Sequence, residues 1–87
     1  MKIQETQRFR KSVKTLDKKV LKKIQKQFAL FFQNPTHPSL NTEKLEPRIN
    51  NIWSFRVDRN HRVIFTYNEP DIILLLNIGP HDIYKKL

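Results

Sequence analysis

The sequence predicts an α+β domain: an N-terminal helical hairpin packed on a twisted, mainly antiparallel sheet of about four to five strands. Three observations carry that prediction. Apolar residues recur at helical spacing through residues 6–34, the period falls to two after residue 41, and a loop of prolines and small polar residues (35–41) divides the two regimes. Eighty-seven residues make one domain, residues 1–87, with a small core.

The elements follow in order. KIQE (2–5) reads as a short strand. Phe9, Val13 and Leu16 then stack on one helical face. Asp17 can cap a second helix, its carboxylate accepting from first-turn amides. That helix presents Leu21, Ile24, Phe28, Phe31 and Phe32 as an apolar stripe, and Asn34-Pro35 ends it. PTHPSLN (35–41) is loop material. In NIWSFRVD (51–58), Trp53, Phe55 and Val57 point one way, while Ser54, Arg56 and Asp58 point the other. HRVIFTY (61–67) is rich in β-branched and aromatic residues. DIILLLNIG (71–79) is nearly continuously apolar, as a central strand would be.

The hairpin between the two middle strands is expected to turn through Arg59, Asn60 and His61, placing Asp58 opposite Arg62. Arg62 then shares a face with Arg56 and Ser54, on an open sheet surface away from the helices. Two arginines there suit phosphate, because a guanidinium donates two parallel hydrogen bonds. The plainer reading is that they keep a wet face soluble.

Composition narrows the function classes. Seventeen Lys and Arg stand against eight Asp and Glu, a formal charge of +9. Residues 1–34 carry ten basic and two acidic side chains, a net +8, so the excess lies in the helices. That asymmetry suits a polyanion, nucleic acid first and an acidic protein second, or else a solvated lysine face. Without cysteine there is neither a disulfide framework nor thiolate chemistry. No stretch is apolar for the length of a membrane span, and the N-terminus has no signal core, so a soluble cytoplasmic protein with no membrane partner is expected. The single glycine, Gly79, makes no phosphate loop; it is expected to turn the chain sharply out of the last strand. His37 and His61 read as surface residues, and no histidine–carboxylate spacing suggests a metal site.

The motif order EKL (43–45), WSFRV (53–57), HRVIF (61–65), an apolar strand and GPHDIY (79–84) resembles the RelE/ParE superfamily of bacterial toxin–antitoxin toxins. The likeness covers essentially the whole chain. The W-S-x-R-V and H-R-V-I-F pair resembles the YoeB branch most, and the G-x-H-D ending resembles YafQ and YoeB. The resemblance implies a microbial-RNase-like fold and, for many members, cleavage of mRNA in the ribosomal A site. It also implies a cognate antitoxin, with a toxin–antitoxin heterotetramer as the assembly.

Carried over by position, the resemblance gives Arg62 the scissile phosphate, His81 the role of general acid, and Glu43 that of general base. Arg56 matches a basic residue on the preceding strand. Tyr84 lies near the substrate-orienting aromatic, at a longer offset from His81 than the YoeB-like pair has. Such chemistry needs no cofactor, because RNA supplies its own 2′-hydroxyl nucleophile. Glu43 or His81 can accept that proton, and His81 can protonate the leaving oxygen. Lys18, Lys19, Lys22, Lys23 and Lys26 would hold ribosomal RNA by counterion release. The plainer readings stay open: His81-Asp82 as a strand-end cap, Tyr84 as core cover, and Glu43 as a solvated carboxylate with Glu46 equally near. The runner-up function is a ParE-like DNA gyrase inhibitor without nuclease activity. A third reading is a non-toxic member that binds an antitoxin.

Overall fold

The computed structural model describes residues 2–45, 51–68, 71–80 and 83. The expectations for Glu46, His81, Asp82 and Tyr84 therefore lie outside the described residues.

Strand β1 is Lys2–Glu5, and helices α1 (Gln7–Lys14) and α2 (Lys18–Gln33) follow. Each helix starts where a side-chain oxygen replaces a missing carbonyl. The Thr6 hydroxyl accepts from the Phe9 amide at 3.2 Å, and the Asp17 carboxylate accepts from the Val20 amide at 3.0 Å. Thr6 also donates to the Leu75 carbonyl at 2.8 Å, which ties the start of α1 to the sheet.

The buried face of α2 is Val20, Ile24, Gln27 and Phe31, at intervals of four, three and four. Phe32, expected in that stripe, is 56% exposed. Adjacent helical residues point about 100° apart, so Phe31 and Phe32 cannot both face the sheet. Phe31 takes the core. Its ring stacks on Phe55 at 4.8 Å between centroids and meets Phe65 edge-on at 5.1 Å. Such pairs contribute about 0.5–1.5 kcal/mol each beyond area burial. Gln27 can sit buried because its amide donates to two carbonyls, Ser39 at 3.2 Å and Arg56 at 2.8 Å. These bonds tie α2 to a 3₁₀ turn (Pro38–Leu40) and to the end of a strand.

The remaining strands are β2 (Glu43–Lys44), β3 (Ile52–Arg56), β4 (Arg62–Asn68) and β5 (Ile72–Gly79). They form one five-stranded sheet in the order β1-β5-β4-β3-β2. Strands β2 to β5 are an antiparallel meander, and β1 pairs parallel with β5 on its far edge. The helices cover the face that carries Phe55, Val63 and Phe65.

Two local features differ from the sequence expectation. Arg56, not Asp58, stands opposite Arg62, so the connection between paired positions spans residues 57–61. The Asp58 carboxylate turns inward and accepts from the Asn60 amide at 2.8 Å and from His61 Nδ1 at 2.9 Å, closing a wider loop. The register moves by two residues, which preserves the face of every side chain. Gly79 is a strand residue opposite Arg62, and no glycine has a positive φ. Its missing side chain serves a close approach: a Cβ there would lie 2.7 Å from Ile83 Cδ1.

Candidate active site

Pairing register brings four polar side chains onto one face. Glu43 on β2 stands opposite Ser54 on β3, and Arg62 on β4 stands opposite Arg56 on β3. All four therefore share the sheet face that the helices leave free. Arg62 reaches back along that face. Its Nη1 donates to Ser54 Oγ at 3.0 Å, and its Nη2 lies 3.5 Å from Glu43 Oε1.

The electrostatics follow from burial. Arg62 is only 6% exposed, and Ser54 and Ile64 on the same face are fully buried, so this is not the open surface expected from sequence. A buried cation is costly unless paired and hydrogen-bonded. Glu43 supplies the charge and Ser54 the neutral acceptor. Arg56 is exposed and directly opposed to a second arginine, a like-charge pairing that an anion between them would relieve. The Glu43 side chain is half exposed, so that carboxylate can be reached and displaced.

Lys18, Lys19, Lys22, Lys23 and Lys26 are all exposed on α2, which packs on the opposite side of the sheet from Arg62 and Glu43. The predicted phosphate grip and the predicted RNA-adhering lysines therefore occupy two different layers. Lys23 Nζ reaches the β3–β4 loop, 3.8 Å from Asp58 Oδ2. Burial pushes the Asp58 carboxyl up, but the His61 hydrogen bond, the Asn60 amide and the charge of His61 together hold it below its ordinary value. His61 is thus a loop clasp and not a bare surface residue. His37 is likewise half-buried, its Nδ1 accepting from the Ser39 amide at 3.1 Å.

Sequence reasoning placed Ser54 on the face of Arg62 but gave it no role. That placement holds because the expected and the observed hairpin registers differ by two residues, whereas the hydrogen bond to Arg62 depends on the register itself. An apolar groove of about 540 Å³ lies on the helix side, lined by Ile3, Phe28, Ala29, Phe32 and Leu75 among others, and no predicted site residue borders it. Among the described residues, no cluster of His, Cys, Asp or Glu could hold a metal ion, and no helix is long and apolar enough to cross a membrane.

The model of one protein family, the ParE toxin of type II toxin–antitoxin system (parDE), matches residues 2–83. The chain belongs to this toxin family. The sequence matches none of the curated proteins. Solved structures share the fold. The YoeB/ParE toxin from Agrobacterium tumefaciens is 17% identical with a TM-score of 0.73, covering 93% of this chain and 99% of that one. The YoeB dimer from Staphylococcus aureus is 22% identical with a TM-score of 0.73, covering 93% and 97%. The E. coli DinJ–YafQ toxin–antitoxin complex matches at 18% identity and a TM-score of 0.70, covering 92% and 91%. The α+β fold and the RelE/ParE membership expected from the sequence are both borne out. The protein is a toxin of a type II toxin–antitoxin system.

Proposed function

We propose that this toxin is a ribosome-dependent endoribonuclease that cuts mRNA in the A site. The observation that carries the reading is Arg62 within 3.5 Å of Glu43 on one sheet face, with the exposed Arg56 directly opposite Arg62. In the free toxin, Glu43 occupies the anion position beside the guanidinium. An RNA phosphate takes that position and displaces the carboxylate toward the 2′-hydroxyl. Glu43 then accepts the 2′-hydroxyl proton, and the freed oxygen attacks phosphorus. Arg62, helped by Arg56, holds the charge that develops on the non-bridging oxygens. His81 protonates the departing 5′-oxygen, and Tyr84 orients the substrate. Each acid–base step supplies about 10²–10⁴-fold, and the ribosome supplies positioning.

The lysines of α2 hold the toxin to ribosomal RNA, and the work is done in the cytoplasm without a cofactor. The antitoxin neutralises it in a toxin–antitoxin heterotetramer. YafQ, which shares this fold, occurs in a toxin–antitoxin complex with DinJ.

A second reading is a gyrase inhibitor that cleaves nothing, and the ParE identity of the matching family favours it. Mapping of mRNA 5′ ends by primer extension separates the two. The nuclease reading predicts cuts in A-site codons that require ribosomes and vanish in His81→Ala. Intact mRNA from a protein that still arrests growth would transfer the assignment to gyrase.

A further inference from the structure

We infer that Ser54 is a positioning residue that fixes the Arg62 guanidinium for phosphate, an inference that rests on the nuclease reading. The two partners of Arg62 differ in kind. Glu43 is charged, half exposed and on a two-residue edge strand. Ser54 is neutral, fully buried and in a strand paired on both sides, with Glu43 across one edge and Ile64 across the other. Its Oγ is therefore a fixed point, 3.0 Å from Nη1.

That difference suits a site whose anion must change. When a phosphate replaces the Glu43 carboxylate, the bond to Ser54 persists and keeps the guanidinium plane where it was. A planar fork held at one nitrogen presents its remaining donors in one orientation. The acceptor is also of the right charge. A hydroxyl satisfies Nη1 without offsetting the positive charge, whereas a carboxylate at this position would compete with the phosphate. Positioning of this kind acts on the transition state, so its loss is expected in kcat rather than in KM.

The test uses toxin labelled with ¹⁵N-arginine, in wild-type form and as Ser54→Ala and Ser54→Thr. A pinned guanidinium rotates slowly about its Nε–Cζ bond and gives resolved Nη–H signals. We expect resolved Arg62 signals in wild type and in Ser54→Thr, which keeps the hydroxyl, and averaged signals in Ser54→Ala. In single-turnover cleavage of ribosome-bound mRNA, Ser54→Ala should lose about ten- to a hundred-fold in kcat with KM little changed, and Ser54→Thr should recover most of it. Resolved Arg62 signals in folded Ser54→Ala would overturn the inference whatever the activity. So would averaged signals with an unchanged kcat. If the wild-type toxin cuts no RNA, the nuclease reading fails by itself and the arginine signals still decide whether Ser54 holds Arg62.

Discussion

Arg62 and Glu43 form a 3.5 Å ion pair although their strands do not touch: β3 lies between β4 and β2, and the guanidinium crosses it over Ser54. A pair so placed links the sheet's edge to its centre. Glu43 is half exposed, but it compensates the charge of a nearly buried Arg62, so the pair bears on stability as well as on the site.

Glu43→Gln keeps an oxygen that can accept from Arg62 but removes the compensating charge, so it is expected to lower the melting temperature, while cleavage falls by about 10²–10⁴-fold. Calorimetry and a cleavage assay on the same preparation check both halves.

Arg62→Lys keeps the charge but loses the fork that reaches Ser54 and Glu43 together. Cleavage should drop by about 10²–10³-fold, comparable with Arg62→Ala. Single-turnover rates on ribosome-bound mRNA measure it, and a lysine variant near wild-type rate would mean that charge alone suffices.

Gly79→Ala puts a methyl 2.7 Å from Ile83 Cδ1 and 3.1 Å from its Cγ1. Ile83 is buried and must shift along more than its tip, so a loss of about 1–3 kcal/mol in unfolding free energy is expected from denaturant titration. Because Gly79 faces Arg62, the displacement should also lower cleavage.

The Asp58 clasp predicts an acid-side pH dependence. Its folded carboxyl titrates below its ordinary value of 3.8, so between the two the unfolded chain binds more protons. The clasp's contribution is full above that ordinary value and is lost as pH falls through the folded one. Melting temperature should fall less steeply below about pH 4 in Asp58→Asn than in wild type. Parallel curves would mean that the Asp58 clasp contributes nothing to acid stability.

Much of this architecture was legible because the signals are local. The cap at Asp17 and the stop at Asn34-Pro35 act within a few residues, and each lies where its side-chain chemistry dictates. The alternating pattern placed Phe55 and Val57 in the core and Arg62 on Arg56's face, since a register change of two preserves parity. What depends on distant atoms was not legible. The choice between Phe31 and Phe32 depends on which ring meets Phe55 and Phe65. The burial of Arg62 depends on Ser54 and Glu43, from two other strands. A β-bulge between Ile64 and Phe65, with Leu76 as the extra residue of β5, sets Gly79 against Arg62, and no local pattern announces it.

Whether Glu43 and Arg62 act together in cleavage is decided by a double-mutant cycle on ribosome-bound mRNA: wild type, Glu43→Gln, Arg62→Ala and both together. If the two side chains serve one reaction, each single change costs about 100-fold or more, and the double costs little beyond the worse single. Wild-type cleavage rates in both singles would contradict it, leaving the Glu43–Arg62 pair a structural contact only.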